Sequence, residues 1–434
     1  MTNGKKTVFY VISFILFLSI FFTLGEIAVR VIKPQKTYSE FLALVSDMWA
    51  PSEFNKIELK KNYIGKYPSN EFPGKYVTVK TNKLGLRDDE TTFEKPKNIK
   101  RILIIGDSYT FGYFVESWEA YPYVLKQLLK KHGSKYEVIN AGYAGGFNTD
   151  EEYVWLRNVG IKFKPDIVIL GFYIGNDLNI NRNHWILDSN GLPIRIDKNK
   201  KFGTYVDQFG RRRDDADFVM TTDTVGYEYI YKIPVLRESH FFIALGKITE
   251  KVYKYFCSKI YPSKAYKIPP GYSVAMFPQI FGDDAYRFRD KYKTYYEIMD
   301  QYVPPLEERE KYFHELVLGM NKIAKDINSD FIILMIPTNF QVEPEYFLPF
   351  YFKEPDENRE ILAGTFGIKR DFFKELSQYS ENNNIKYINL LNEMKKGPDK
   401  YFPRNGEMHF NIKGHEFTVN VIYKYLIDNN LLDN

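Results

Sequence analysis

The chain has 434 residues, 44% of them hydrophobic and 17% aromatic, and its 60 basic and 55 acidic side chains give a formal net charge of +5. This length predicts one enlarged domain or a domain with a large insertion. Basic residues are scattered, and the tightest run, Arg211 to Arg213, is followed at once by two aspartates. We therefore predict a solvated turn there and no nucleic-acid partner. The single cysteine, Cys257, excludes an intrachain disulfide and a cysteine-based zinc site.

An uncharged and almost wholly apolar stretch runs from Thr7 to Gly25, directly after Lys5 and Lys6. As a helix this stretch would measure about 28 Å, close to the thickness of the bilayer hydrocarbon. We predict an uncleaved transmembrane anchor with a short stalk over residues 1–36. The positive N-terminal flank favours an inside N-terminus and a chain that lies outside the cytoplasm. A cleaved signal peptide is the open alternative.

Beyond the anchor, residues 26–74 predict a stalk and an irregular lead-in. Lys75–Asn82 alternates with period two and predicts a half-exposed strand. From Arg101 onward the pattern alternates between strands and helices. The predicted strands are Arg101–Gly106, Tyr136–Ala141, Asp166–Tyr173, Asp330–Pro337 and Ile385–Leu390. The predicted helices start at Ser117, at Thr149 with a capping box, at Glu308, at Lys369 and after Gly414.

Alternating strands and helices predict an α/β fold with a mostly parallel, doubly wound sheet. We assign this domain to residues 75–434. Residues 179–307 break the alternation and are rich in Tyr, Asp, Lys and Pro. We predict that they form one long insertion in the domain.

A serine directly follows the first strand of this domain. The strand ends at Gly106, and Asp107 and Ser108 come next. In open α/β sheets, ligands bind at the carboxyl ends of the strands. Ser108 is therefore the first candidate for a catalytic nucleophile.

Three later segments return to the same edge of the sheet. A glycine-rich turn containing Gly145 follows the second strand, Asn176 follows the third, and His409 precedes the last helix. A serine hydroxyl needs a base, which histidine supplies. The backbone N–H groups of Ser108 and Gly145 and the side-chain amide of Asn176 are suited to bind the oxyanion of a tetrahedral intermediate. The sequence therefore predicts an acyl-transfer site.

These four motifs resemble those of the SGNH hydrolases, also called GDSL esterases and lipases. The family name lists Ser, Gly, Asn and His in the chain order found here, and the resemblance covers about 101–180 and 308–430 but not the insertion. It implies a flavodoxin-like, three-layer α/β/α sandwich. It also implies hydrolysis or transfer of acyl esters without a metal or other cofactor.

One position departs from the family pattern. The family usually places an acid three residues before the histidine, and this chain has Gly406 there. Glu407 lies two residues before His409, and we predict that Glu407 orients the imidazole. Asn405 can orient the ring but stabilises an imidazolium less well. The remaining alternative is a Ser–His pair whose ring is held by a backbone carbonyl.

Neighbouring polar residues have structural interpretations. We expect Asp107 and Asp177 to hydrogen-bond the backbone of their turns and His415 to pack or cap the last helix. The remaining histidines have no ligand spacing, so we predict no metal site.

The leading functional hypothesis is a membrane-anchored serine esterase in the cell envelope. Its substrate would be an acyl ester, for which an O-acylated glycan fits the predicted location. Two alternatives remain open. One is an O-acyltransferase that modifies a cell-surface polysaccharide. The other is a catalytically silent envelope protein that uses this fold for binding or assembly.

Overall fold

The computed structural model describes residues 3–35, 48–69, 75–133, 135–144, 147–178, 180–199, 204–206, 212–214, 233, 236, 238–249, 306–343, 372–398, 400–404 and 408–432. The chain divides into two compact units. One unit combines Met1–Ser46 with Ala216–Lys267, and the other combines Asp47–Asp215 with Ile268–Asn434.

The larger unit is built on a five-stranded parallel sheet. Its strands are β5 (Lys100–Gly106), β6 (Tyr136–Gly142), β7 (Ile167–Tyr173), β12 (Asp330–Ile336) and β13 (Lys386–Asn389). Their spatial order is β13-β12-β7-β5-β6, and all neighbours are parallel. This is the 2-1-3-4-5 order of flavodoxin-like sheets. The structure thus confirms the predicted fold class.

Helices cover both faces of this sheet, as its apolar strands require. Every residue of β7 is buried. One layer contains α3 (Tyr121–His132) and α10 (Ile412–Asp428), whose apolar side chains share a core with one face of the strands. The other layer contains α4 (Thr149–Asn158), α6 (Leu306–Asp326) and α8 (Phe372–Asn382). Phe172 of β7 contacts the rings of Phe313 and Phe372 on that side.

Three shorter helices also lie among the described residues of this unit. They are α2 (Ser108–Phe111), α7 (Asn339–Val342) and α9 (Leu390–Lys396). The unit also contains 3-10 turns at Ser117–Glu119, Gly160–Phe163 and Arg182–His184.

Two of the helix starts differ from the prediction because an asparagine caps the helix, by one residue at α4 and by three at the last helix. Asn148, not Thr149, caps α4, and Glu151 completes the capping box. The last helix begins at Ile412, because the Asn411 side chain caps it by accepting a hydrogen bond from the Gly414 N–H. Both helices start at an asparagine cap. Asparagine is a preferred capping residue, and here it caps the helix in place of the nearby threonine or glycine from which the start was predicted.

The predicted irregular lead-in contains strands. β1 (Trp49–Pro51) pairs antiparallel with β2 (Ile57–Leu59), and β3 (Ile64–Pro68) pairs antiparallel with β4 (Tyr76–Lys80). β1 and β2 have only three residues each, and β3 (Ile-Gly-Lys-Tyr-Pro) does not alternate between apolar and polar residues, which is why the sequence did not reveal β1 to β3. The predicted strand at 75–82 corresponds to β4, whose burial alternates.

Parts of the predicted insertion at 179–307 are described. β8 (Trp185–Leu187) pairs with β9 (Pro193–Ile196), and β10 (Thr204–Val206) pairs with β11 (Arg212–Asp214). Arg212 and Arg213 therefore lie in a strand and not in the predicted turn. The helix α5 (His240–Thr249) belongs to the smaller unit.

The smaller unit also contains α1 (Asn3–Ile32). Its large apolar side chains are mostly exposed over the predicted span. By length and composition α1 qualifies as a membrane span, a property that a signal sequence near the N-terminus shares.

A buried arginine, Arg87, joins β4 to the end of α2 and to the loop that follows α2. The Arg87 guanidinium donates hydrogen bonds to the carbonyl oxygens of Thr78, Phe111, Gly112 and Val115, at 2.5 to 3.1 Å. Arg87 is 2% exposed, and burial lowers its pKa to about 10. This one side chain satisfies the backbone of a tight turn that could not be buried otherwise.

We expect Arg87→Met to lower the free energy of unfolding by about 3 kcal/mol or more, because several buried carbonyls lose a charged donor. Denaturant unfolding of the full chain in detergent, followed by tryptophan fluorescence, measures this. Arg195→Met, at an exposed position of β9, should change the value by no more than about 0.5 kcal/mol. Equal effects of the two substitutions would contradict the role assigned to Arg87.

Candidate active site

Ser108 lies directly beyond the carboxyl end of β5. At β5 the order of the strands reverses, because β6 is added on one side of β5 and β7 on the other. It is the first residue of α2, and Asp107 caps this short helix by accepting a hydrogen bond from the Tyr109 N–H at 2.9 Å. The strand fixes where the chain turns, and the cap fixes how it turns. The serine hydroxyl is thereby held at the edge of the sheet.

Two glycines allow α2 to lie so close to the strands. A Cβ added at Gly142, at the end of β6, would be 2.2 Å from the Phe111 nitrogen. A Cβ added at Gly106 would be 2.1 Å from the Thr110 hydroxyl, and Gly106 has a φ of 159°. Any larger residue at either position would displace the turn that carries Ser108.

The structure brings His409 to the serine although the two residues are 301 positions apart. The His409 Nε2 atom lies 2.8 Å from the Ser108 Oγ atom. This distance is within the range that a general base needs to take a proton from a hydroxyl.

Aromatic rings surround the His409 imidazole. Tyr109 stacks on it with ring centroids 5.1 Å apart, and Tyr113 and Phe114 lie at 5.4 and 5.2 Å. The Tyr109 hydroxyl donates a hydrogen bond to the Met408 carbonyl, next to the histidine. Phe114 has a φ of 69°, which is unusual for a bulky residue and marks local strain. The sequence does not reveal this packing, because aromatic side chains are common throughout the chain.

Asn176 lies at the same edge, after β7. Its backbone N–H donates to the Tyr173 carbonyl, and its side chain lies close enough to the Asp107 carboxyl to lower the pKa of that group. Ser108, His409 and Asn176 therefore all lie near the buried Asp107. Gly145, Glu407 and Asn405, which the sequence also singled out, lie outside the described residues.

Asp107 is fully buried beside the nucleophile. Burial raises the pKa of this carboxyl from 3.8 to about 6. The Tyr109 N–H, the nearby His409 and the side chains of Asn176 and Ser108 lower it in part. Asp107 holds the backbone of its turn, as predicted, and it also contacts the side chains of the site.

Two more buried acids lie near Asp107. Burial and the neighbouring Asp107 raise the pKa of Glu152 well above its usual range, and the pKa of Asp177 shifts the same way because of burial and Glu152. Asp177 accepts a hydrogen bond from the Tyr173 N–H at 2.6 Å, which matches its expected structural role. Within the part of the chain that the structure describes, neither carboxylate oxygen of Glu152 has a hydrogen-bond partner. The sequence predicted Glu152 as a capping residue, a role that Glu151 fills.

His415 is buried in the core below the site. Its Nδ1 atom accepts a hydrogen bond from the Tyr121 N–H at 3.3 Å. Burial, Arg87 and His409 lower its pKa to about 3, so it is neutral at physiological pH. It packs as predicted and holds no charge near the nucleophile.

Comparison with known proteins finds no match to any protein-family model and none among curated proteins. Several solved structures are similar. A lipase/acylhydrolase from Enterococcus faecalis is 13% identical and covers 76% of this chain and 95% of its own, with a TM-score of 0.32. The esterase EstA from Pseudoalteromonas is 11% identical and covers 77% of this chain and all of its own, with a TM-score of 0.32. The protein TesA is 10% identical over 75% of this chain and 98% of its own, with the same TM-score.

This chain combines the flavodoxin-like sheet order with motifs that run in the order Ser108, Asn176 and His409. The side chains of the site indicate its chemistry.

The buried Asp107 gives a pH-dependent prediction. Its pKa is higher in the folded state than the ordinary 3.8, so the folded chain binds its proton more tightly. The stability that this proton contributes is present below about pH 4 and is lost as the pH rises through about 6. We expect Asp107→Asn, which removes the charge, to raise the free energy of unfolding at pH 8 by up to about 3 kcal/mol and to have little effect at pH 4.

Thermal unfolding of the full chain at both pH values measures this difference. Asp89→Asn is the control, because the Asp89 side chain is 62% exposed. An effect of Asp107→Asn that is the same at pH 4 and pH 8 would contradict the assigned cost of burying this carboxylate.

Proposed function

We propose that this protein is a serine-dependent acyl-ester hydrolase of the SGNH type. The observation that carries the proposal is the 2.8 Å separation between Ser108 Oγ and His409 Nε2 at the carboxyl edge of a flavodoxin-like sheet. A serine hydroxyl in contact with an imidazole is the arrangement that nucleophilic acyl transfer requires.

The reaction proceeds in two halves. His409 Nε2 takes the proton from Ser108 Oγ as that oxygen attacks the ester carbonyl carbon, which forms a tetrahedral intermediate. The C–O bond to the alcohol then breaks, and His409 gives its proton to the leaving oxygen. Water repeats the sequence on the acyl-serine, releases the carboxylic acid and restores Ser108.

The negative oxygen of the intermediate needs donors that are already in place. The Ser108 N–H, the Gly145 N–H and the Asn176 amide are our proposed donors. Asn176 supports this role because its side chain lies near Asp107, the residue that directly precedes Ser108. An amide NH₂ group offers two N–H donors, which suits it to bind an oxyanion.

His409 must be held in one orientation and must tolerate a positive charge during the reaction. We propose Glu407 as the acid that does both. The stacked ring of Tyr109 and the edge of Phe114 hold the imidazole from other sides.

The proposed location is the cell envelope, with α1 as an uncleaved anchor. Rings of α1 support this choice, because Phe21 and Phe22 pack against Phe241 and Phe242 of the insertion. Cleavage after Gly25 would remove those partners. An O-acylated envelope glycan is the substrate that we propose for this location.

We expect Ser108→Ala to lower kcat/KM for a chromogenic acetyl ester by about 10³-fold or more, and His409→Ala to cause a loss of similar size because the pair acts as a unit. The double variant should be no worse than either single variant. Steady-state kinetics of the full-length protein in detergent measures the three values. Unchanged turnover in a folded Ser108→Ala protein would refute the esterase.

Adding a glycan acceptor to the same assay separates ester hydrolysis from acyl transfer. Acetylation of the acceptor in place of acetate release would indicate a transferase.

We expect Glu407→Gln to lower kcat about 100-fold or more, because it removes the charge opposite the imidazolium, and Glu407→Asp to cost less. Glu416→Gln, at an exposed position of α10, is the matched control and should retain full activity. Equal and negligible effects of the two Glu407 substitutions would remove this residue from the site.

A further inference from the structure

The helix α5 of the insertion packs against α1, about 210 residues away in the sequence. Both helices belong to the smaller unit. Nothing in the proposed esterase mechanism uses this contact. Its residues nevertheless form a specific interface, with a charged cap, an aromatic cluster and a polar link.

The Glu26 carboxylate of α1 caps the N-terminus of α5. It accepts hydrogen bonds from the Ser239 hydroxyl at 2.7 Å and from the backbone N–H groups of His240 and Phe241 at 3.1 and 2.9 Å. Arg30, one turn further along α1, binds the same carboxylate at 2.6 Å. A negative charge at this end of a helix satisfies free N–H groups and interacts favourably with the helix dipole.

Next to this cap, aromatic rings join the two helices. The ring centroids of Phe22 and Phe242 are 5.2 Å apart, and Phe241 contacts Phe21 and Phe22 at about 6 Å. Gly25 leaves room for this packing, because an added Cβ there would lie 2.7 Å from the Phe241 ring.

A polar link holds the segment that follows α1. The Gln35 backbone N–H donates to the His240 Nδ1 atom at 2.8 Å, and Lys247 donates to the Gln35 side-chain oxygen at 2.9 Å. The contact therefore covers most of α5 and does not depend on its first turn alone.

The level of this interface along α1 indicates its surroundings. Phe21 and Phe22 lie in the last part of the uncharged stretch that ends at Gly25, and Glu26 is the first charged residue after it. If α1 spans a bilayer, these residues sit where hydrocarbon meets head groups. A helix packed against them must lie at the same depth.

The side chains of α5 suit that depth. Leu245 and Ile248 are 42% and 58% exposed, and they lie four and seven positions after Phe241, on the same side of the helix. Lys247 points instead to the polar link with Gln35. An apolar stripe with a positive charge beside it is typical of helices that lie in the membrane interface.

We propose that α5 is an interfacial membrane helix, which docks on the outer end of α1 and places Leu245 and Ile248 in the lipid boundary. The insertion would then give the chain a second membrane contact beside the anchor. This inference rests on the proposed membrane location of α1 and is independent of the esterase chemistry.

The test uses full-length protein with Cys257→Ser, reconstituted in vesicles of phosphatidylcholine and phosphatidylglycerol. An environment-sensitive fluorophore is attached to Ile248→Cys or, as a control, to Lys322→Cys on α6, where the side chain is 75% exposed. We expect spin-labelled lipids to remove most of the emission at position 248 and aqueous iodide to remove little. The label at position 322 should show the reverse.

Two substitutions then test the docking. Gly25→Leu fills the space of the Phe241 ring, and Glu26→Ala removes the cap. Either change should make the label at position 248 accessible to iodide. Gly4→Leu is the matched control, because an added Cβ at Gly4 meets nothing within 4 Å. Unchanged lipid quenching in both docking variants would overturn the contact between α5 and α1.

Each sample is also tested for flotation with the vesicles and for hydrolysis of a soluble ester. Loss of flotation in the parent protein would refute the anchor and with it the interfacial helix. Loss of hydrolysis would count against the esterase alone. A label at position 248 that iodide quenches fully, in a parent protein that floats and hydrolyses the ester, overturns the interfacial helix alone.

Discussion

The buried carboxylate of Asp107 organises the edge of the sheet. It accepts a hydrogen bond from the Tyr109 N–H, which sets the turn that carries Ser108, and the Asn176 side chain after β7 lies near it. The nucleophile that we propose is thus positioned by this buried group. His409 completes the site from the other end of the chain, and its proximity lowers the Asp107 pKa.

This arrangement has an energetic cost. A buried carboxylate without a full set of donors favours its neutral form, and the raised pKa values of Asp107, Glu152 and Asp177 show that effect. The three acids also oppose one another's ionisation, so the cluster keeps protons that isolated carboxyls would lose. Groups with shifted pKa values are frequent at functional sites. Here the pKa values of the three acids are raised because their carboxyls are buried near Ser108, at the end of a hydrophobic strand.

The sequence predicted the parallel sheet well, because its strands are long apolar runs buried on both faces, such as β7. The sequence also predicted that Ser108 and His409 lie at the same edge of the sheet, because each motif follows a recognisable strand or precedes a recognisable helix. It did not predict Arg87, whose role depends on four carbonyl groups that only the folded chain brings together. Nor did it predict the inward direction of Glu152 or the docking of α5 on α1, which depend on packing between distant segments.

The most direct test of the central claim is covalent labelling with a fluorophosphonate, which phosphonylates activated serine hydroxyls. We expect mass spectrometry of the digested full-length protein to locate the adduct on Ser108, and His409→Ala to abolish labelling while the fold is retained. Labelling of Ser108 that persists in folded His409→Ala protein, or an unlabelled Ser108 in the folded parent protein, would contradict the proposed nucleophile and base.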